Sequence, residues 1–480
     1  MDGKLAALDS VDPTVVVVPL PSDLSPTAAV RLRFSGALPH DLLGYGIFAR
    51  TPTTMTLSQF YPVLAPWRGG WLVYPTFPFG DNLVAEAADY TLDLVVPVGW
   101  VPIASGTETE YAPQRFRIVG ENLRELALVL VKGYESSATA WDGVTLRLYC
   151  PPHLSFSVPQ AFQVAAQSLT LFTEKLGGFP FAELDMVIVP LSGAAGVEYP
   201  GLILIGERYA LDPGSDFFAE IVAHELAHQW WYGEVGTDQV AEPWVDEGLA
   251  TYTSALYFAA HGRIEEKVRE WRARYAQARR RNPKATVGSP LWEFPEGVGY
   301  AGYVYAGGAL FLHEVRSLLG DEEFFSALQE FRERFRGKIA RATDLLQLFA
   351  NRACESFAPL VERYFGKALL LAPTRKVRPE NSEASGHTQP GHAGSALHLP
   401  KNQGEHEDQG QVEEGHYAIY LEIAESASGD GLGLAHELRG PDQVDHGRAL
   451  DHVDELVRPG RDHQAQGLRK NHIPESLKPR

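Results

Sequence analysis

The chain carries His224-Glu225-Leu226-Ala227-His228, two imidazoles four positions apart with a carboxylate directly after the first. On a helix, positions i and i+4 share one face, so both rings can point at a single metal ion. Zinc accepts such nitrogens at about 2.0–2.1 Å, and a zinc that does chemistry needs one more protein ligand and a position open to water. Glu225 stands at the edge of that face, where its carboxylate can take a proton from that water. These residue types at this spacing suit metal-assisted hydrolysis, and they require a third ligand from elsewhere in the chain.

Glu247 is the candidate, nineteen residues after His228 and inside Glu242-Pro-Trp-Val-Asp-Glu-Gly-Leu-Ala-Thr-Tyr252. A carboxylate at the start of a following helix can fold back to the ion, giving a His224, His228, Glu247 set. The spacing excludes a metzincin site, which needs Gly and His where this chain has Trp231 and Glu234. A ligating imidazole also needs an acceptor for its other N–H, and Asp246 and Asp238 are both placed to provide one.

The elements that must hold these residues are legible in outline. A helix carrying the two histidines opens at Ser215 or Asp216, either a good N-cap, and another runs from about Asp246 to Ala260. Before them come a helix over 159–176, ending at Gly177-Gly178, and strands at Leu184–Val189 and Gly201–Gly206. Residues up to about 152 alternate apolar and polar side chains, as in Ala29–Phe34, Tyr90–Val96 and Val144–Tyr149, with a turn at Trp67–Leu72. This stretch reads as all-β. Nothing in it reads as catalytic, and Tyr61 and Trp71 read as packing aromatics. From Ile264 to Lys367 the pattern is helical, with a solvated charged end at Arg279–Arg281 and core-facing periodicity at 311–319, 321–335 and 343–365.

After Ala372 the texture changes. The last 108 residues contain no Phe or Trp, only Tyr417 and Tyr420 as aromatics, and ten of the sixteen histidines. So little apolar surface cannot offset the entropy of ordering, so a disordered tail is expected. The histidines are scattered rather than clustered, which argues against a second metal site.

Totals narrow the classes further. With 480 residues the chain exceeds a single core, which rarely passes roughly 250–300. A net charge of -19 argues against a nucleic-acid surface. Cys150 and Cys354 are too few for a disulfide framework and read as buried free thiols. No run reaches membrane-spanning length, and Met1-Asp-Gly-Lys-Leu5 lacks the pattern of a secretory signal, so a cytoplasmic location is expected.

Taken together, His-Glu-Leu-Ala-His-Gln-Trp-Trp231 followed by Trp244-Val-Asp-Glu-Gly-Leu-Ala250 resembles the gluzincin aminopeptidases, the family of aminopeptidase N and leukotriene hydrolase. Asp246 and Leu249 stand where that family usually has Asn and Phe. Thermolysin-type endopeptidases place an aspartate four residues after the ligand glutamate, where this chain has Thr251. Gly196-Val-Glu-Tyr-Pro-Gly201 is similar to the family's Gly-x-Glu-Tyr-Pro-Gly, which implies that Glu198 binds the substrate's free α-amino group. Tyr303-Val-Tyr-Ala-Gly-Gly-Ala309 is similar to Tyr-x-Lys-Gly-Ala and implies that Tyr305 stabilises the oxyanion, with Tyr300 and Tyr303 as close competitors. The resemblance covers about residues 20 to 370. It implies a zinc aminopeptidase acting on peptides with a free N-terminus, with zinc on His224, His228 and Glu247 and with Glu225 as general base. The implied architecture is multidomain: an N-terminal all-β domain (1–152), a thermolysin-like α+β zinc peptidase domain with a helical extension (153–372) and a disordered tail (373–480). An endopeptidase on the same fold and a catalytically silent interaction protein are the alternatives.

Overall fold

The computed structural model describes residues 9–12, 14–17, 32, 34, 36–42, 44–353, 356–366 and 418–423. Strands β1 (Asp9–Asp12) and β2 (Val15–Val17) form an antiparallel pair. The next seven strands are β3 (Phe48–Arg50), β4 (Thr54–Leu57), β5 (Ala88–Val95), β6 (Trp100–Ala104), β7 (Thr107–Ala112), β8 (Arg115–Leu123) and β9 (Leu128–Lys132). They make two sheets, one ordered β3-β4-β9-β6 and the other containing β5-β8-β7. Met55, Leu57, Leu92, Leu94, Ile118, Leu128 and Leu130 fill the space between them. The expected strand at Ala29–Phe34 falls mostly outside the described residues, whereas Tyr90–Val96 lies on β5 and the Trp67–Leu72 turn is closed by a bridge from Trp67 to Trp71.

A five-stranded sheet forms the base of the site. It contains β10 (Glu135–Trp141), β11 (Val144–Cys150), β12 (Glu183–Val189), β13 (Gly196–Tyr199) and β14 (Leu202–Gly206), in the order β10-β11-β12-β14-β13. The expected division at residue 152 separates β11 from β12, yet these two pair in parallel, so by strand pairing this sheet begins at Glu135. Between β11 and β12 runs α1 (Val158–Leu176). Both faces of the sheet are covered, which is why β12 and β14 read as unbroken apolar runs rather than alternating ones. Leu184, Met186, Ile188, Ile203 and Ile205 pack with α1 and the helices that follow. Val187, Val189, Leu202 and Leu204 meet Ile103, Val129 and Val131 of the N-terminal sheets. Cys150 is buried as a free thiol, and Cys354 lies outside the described residues.

After the short α2 (Glu207–Ala210) come the two site helices, α3 (Asp216–Ala227) and α4 (Trp244–Ala260). The helical part continues with α5 (Ile264–Arg281), α6 (Gly297–Ala301), a π-helical turn at Gly302–Gly307, α7 (Gly308–Leu319) and α8 (Asp321–Phe335). The expected continuous helix at 343–365 is two helices, α9 (Ala342–Arg352) and α10 (Phe357–Phe365). Its periodicity holds on both sides, but Ala353 turns extended (ψ 155°) and ends the first. Two short strands, β15 (Gly236–Thr237) and β16 (Ile339–Ala340), pair in parallel across this region. The tail expected to be disordered lies outside the described residues except for β17 (Ala418–Ile423), which pairs in parallel with β5. Among the described residues no helix is long and apolar enough to cross a membrane.

Arg332 fastens α8 to the loop after α3. It pairs with Glu234 and donates to the carbonyls of Leu176 at 2.8 Å and Gly178 at 2.6 Å. Arg332, Glu234 and Leu176 are buried, so removing the guanidinium leaves a buried carboxylate and the Leu176 carbonyl underpaired. Arg332→Leu is expected to lower stability by about 3 kcal/mol, measured as a shifted urea midpoint at unchanged slope. A midpoint equal to that of the parent would contradict this account.

Candidate active site

The motif helix starts where the sequence places it. Ser215 caps α3, its hydroxyl accepting from the Phe218 N–H at 3.2 Å, and the helix then carries His224 and Glu225 inward. His228 sits at the C-cap, still helical in backbone angles, with its ring on the same side as that of His224. Glu247 enters from the first turn of α4. The Nε2 atoms of the two histidines are 3.1 Å apart, and Glu247 Oε2 lies 3.1 Å from one and 3.4 Å from the other. Donors bound to one tetrahedral zinc at about 2.0–2.1 Å would stand about 3.3 Å from one another. The three atoms therefore already have the spacing of one face of a zinc tetrahedron.

Of the two aspartates that could orient an imidazole, Asp246 does so. His228 Nδ1 donates to Asp246 Oδ1 at 2.7 Å, which orients the ring with Nε2 toward the other two donor atoms. Gln239 donates to the other Asp246 oxygen at 2.7 Å. Asp238 faces elsewhere. It accepts from the Tyr74 hydroxyl at 2.6 Å and from the backbone N–H of Ala241 at 2.9 Å.

Glu198 does not precede the edge strand but lies on it: β13 is the edge of the sheet, paired antiparallel to β14 with Glu198 opposite Ile203. The turn between them, Pro200-Gly201, has Gly201 at φ 72°, the position where a type II turn requires a positive angle. Gln229, directly after the second histidine, clamps this turn to α3. Its amide donates to the Tyr199 carbonyl at 3.1 Å and its oxygen accepts from the Gly201 N–H at 2.8 Å. Glu198, Glu225 and His228 thus converge, their ligand atoms within 4.8 Å of one another. Gly196 is pressed against Glu225. A Cβ there would lie 2.4 Å from the carboxylate oxygen Oε1.

Among the three tyrosines, Tyr305 reaches the ligand set. Its hydroxyl bonds to Glu247 Oε1, and its ring stacks on His224 at 5.8 Å between centroids. Tyr303 points away and donates to the Asn282 carbonyl at 2.7 Å. Tyr300 lies against Tyr305, ring to ring at 5.8 Å. Tyr305 belongs to the π-helical turn, a distortion that re-aims side chains and recurs at functional sites. The turn is pressed on α4 by two glycines: a Cβ on Gly308 would be 2.9 Å from the Gly248 Cα.

Burial dominates the electrostatics. It raises the Glu198 carboxyl to about 8, with Glu247 and Asp246 adding to the shift and His228 opposing it. Glu225 is pushed well above the usual range by burial and then by Glu198. Burial acts the same way on Glu247, but its hydrogen bonds to His224 and His228 overcome that and hold its carboxyl low. Burial would lower His228, yet Asp246 and Glu198 draw positive charge to it and raise it overall. Tyr305 is held protonated by burial and by Glu247, so it remains a donor. The N-terminal part, expected to contribute nothing, sends in Asp81, whose carboxyl is raised by burial and then by Glu198 and Glu247.

Two imidazoles and a carboxylate converging beside a free carboxylate and a phenol are the parts of a single-metal hydrolytic centre. Residues 160–364 match the peptidase family M1 domain. Aminopeptidase N of Streptomyces lividans is 26% identical over 378 residues, 72% of this chain and 44% of that protein. Aminopeptidase M1 of Arabidopsis thaliana is 32% identical over 123 residues, 24% of this chain and 14% of that one. A crystal structure of an M1 zinc metallopeptidase from Deinococcus radiodurans aligns with TM-score 0.47 and 23% identity, over 60% of this chain and 65% of that one. The chain spans less than half the length of these two aminopeptidases.

Two substitutions separate metal holding from the surrounding chemistry. Gly196→Ala forces the Glu225 carboxylate out of its place without touching a ligand. Zinc content should stay near one per chain while turnover of a cleaved substrate falls at least about a hundredfold; parental turnover would contradict the contact. Asp246→Asn removes the charge behind His228, and competition with a chelator should show zinc bound roughly ten- to a hundredfold more weakly. Unchanged affinity would mean that Asp246 does not support the ligand.

Proposed function

We propose that the chain is a zinc-dependent aminopeptidase that removes N-terminal residues from peptides. The observation that carries the proposal is Glu198: a buried carboxylate on the edge strand, beside the His224, His228, Glu247 donor set, whose chief charged neighbours are His228, Glu247 and Asp246 rather than any lysine or arginine. A carboxylate whose proton affinity is raised at this depth, with no lysine or arginine beside it, regains its charge when an ammonium arrives and so is a receptor for one. An α-ammonium bound there sets the distance from the N-terminus to the reacting carbonyl at one residue.

Zinc held by His224, His228 and Glu247 supplies Lewis acidity to the carbonyl and to water. Glu225 accepts a proton from the attacking water on its carboxylate and returns it to the departing amine, so the proton removed at the first step leaves with the product. Its raised affinity for protons suits a group that must bind one and then release it. The Tyr305 hydroxyl donates to the carbonyl oxygen as charge builds there. Asp246 keeps the His228 ring in its ligating orientation, and Glu198 retains the ammonium throughout. No covalent intermediate is needed. In an endopeptidase on this fold the Glu198 carboxylate would have no ligand to meet, so that alternative is not favoured.

The test compares aminoacyl arylamides with free and with N-acetylated amino groups, with and without chelator. Free substrates should be cleaved at least about a hundredfold faster, and the chelator should abolish the activity until zinc is restored. Equal rates for free and acetylated substrates would point to the endopeptidase. Glu198→Ala should erase most of the preference for the free amine.

A further inference from the structure

The loop that leaves the motif helix contains a residue in a conformation its type resists. Tyr232 has φ 111°, a left-handed angle that suits glycine and strains a bulky side chain. Around this angle the chain turns back on the helix end. The N–H groups of Gly233, Glu234 and Val235 donate to the carbonyls of His228, Gln229 and Trp230 at 2.9, 3.2 and 3.0 Å. Strain of this kind persists only where the surroundings over-determine it.

Two adjacent residues of the N-terminal part do so here. The Tyr232 hydroxyl donates to Glu125 Oε1, and Arg124 Nε donates to the Tyr232 carbonyl at 3.4 Å. All three residues are buried, and the other Glu125 oxygen has no hydrogen-bond partner. A carboxyl buried with one oxygen underbonded costs stability. Glu125 is therefore explained by what its bond to Tyr232 holds in place, not by the strength of that bond.

What it holds adjoins the second metal donor. The Trp231 carbonyl, on the peptide just before the strained angle, accepts from His228 Nδ1 at 3.0 Å, alongside Asp246 Oδ1 at 2.7 Å. The peptide after Tyr232 is pinned, its carbonyl by Arg124 and its N–H by the His228 carbonyl. It is also packed tightly, since a Cβ on Gly233 would lie 2.9 Å from the Gln229 carbonyl oxygen. Relaxation of Tyr232 toward an ordinary negative φ must then swing the preceding peptide, and with it the Trp231 carbonyl that steadies the imidazole.

We propose that Glu125 is a positioning residue for the metal site. Through the Tyr232 hydroxyl it keeps Tyr232 at its strained angle and the Trp231 carbonyl on His228. The N-terminal part thus steadies a donor that it does not itself supply. The proposal rests on the zinc-dependent reading and deepens it at the level of metal retention.

The experiment measures zinc affinity by competition with a chromophoric chelator, and the urea midpoint beside it, on the full chain and four variants. Glu125→Leu and Tyr232→Phe should bind zinc roughly ten- to a hundredfold more weakly. Glu125→Gln, whose amide oxygen accepts the same bond, should keep close to parental affinity. Tyr232→Gly separates angle from packing. It takes the positive φ without strain and should retain zinc, although emptying the place of a buried ring makes it the least stable of the four. Tyr232→Phe removes a single oxygen, so the test stands even if a larger change prevents folding. Parental affinity in Glu125→Leu and Tyr232→Phe, or affinities that simply follow the urea midpoints with Tyr232→Gly the weakest, would overturn the proposal. A parent chain that binds no zinc defeats the zinc-dependent reading itself, whereas a zinc-binding parent with indifferent variants defeats this proposal alone.

Discussion

Buried negative charge is the constraint on which this structure turns. Glu198, Asp246 and Glu247 act on both Asp81 and Glu225 beside His228. In a poorly screened interior, carboxylates so placed favour protonation unless cations are supplied. The directions of their proton affinities follow burial group by group: Asp81, Glu198, Glu225 and Asp246 are raised, Asp246 even with His228 beside it, and Glu247, which bonds to both imidazoles, is lowered. The site is thus a receptor for positive charge at defined points, and its bare form is electrostatically unfavourable. That penalty is borne by the packing around it: a sheet covered on both faces, and helices fixed by contacts that do not involve the charges at all.

Much of that fixing is done by glycine, through distance rather than flexibility. Gly248 follows Glu247 directly, and Gly308 lies one turn beyond Tyr305. Because neither has a side chain, α4 and α7 approach backbone to backbone, and the phenol and the ligand carboxylate meet. Gly196 does the same between β13 and α3, leaving room for the Glu225 carboxylate. Gln229 then ties the β13–β14 turn to the helix end. Each of these contacts sits one to three residues from a residue of the candidate site, so its effect on distance is transmitted almost without slack.

The parts legible in the sequence are those coded locally. The motif spacing, the Ser215 cap, the carboxylate at the start of the next helix and the apolar runs of β12 and β14 all follow from short-range pattern, and the structure holds them where expected. Tyr305 came from resemblance; nothing in its periodicity separates it from Tyr300 and Tyr303, whose hydroxyls differ only in what the fold puts opposite them. The choice between Asp246 and Asp238 likewise depends on side-chain direction in three dimensions. β13 was not read as a strand, because Gly196–Tyr199 is only four residues long and runs directly into Pro200-Gly201. Asp81 had no local signal whatever: an acidic residue in a Pro/Gly-rich loop becomes significant only once the layers are stacked.

That stacking explains why a loop of the N-terminal part reaches the site. Along β9 the side chains alternate between two cores, Leu128 and Leu130 into the N-terminal sandwich, Val129 and Val131 against the five-stranded sheet. Arg124, buried just before that strand, donates to the carbonyls of Ala85 at 3.0 Å and Lys338 at 3.2 Å, joining the N-terminal part to the segment beside β16. The β sheets are therefore the outer layer of the catalytic sheet rather than an appendage. The candidate metal donors all come from the inner layer, on α3 with its C-cap and on α4, while Asp81 comes from the outer one. A change in how the layers register would move Asp81 and leave His224 and Glu247 undisturbed. The candidate donor set and the loop bearing Asp81 are thus carried by different layers of the fold.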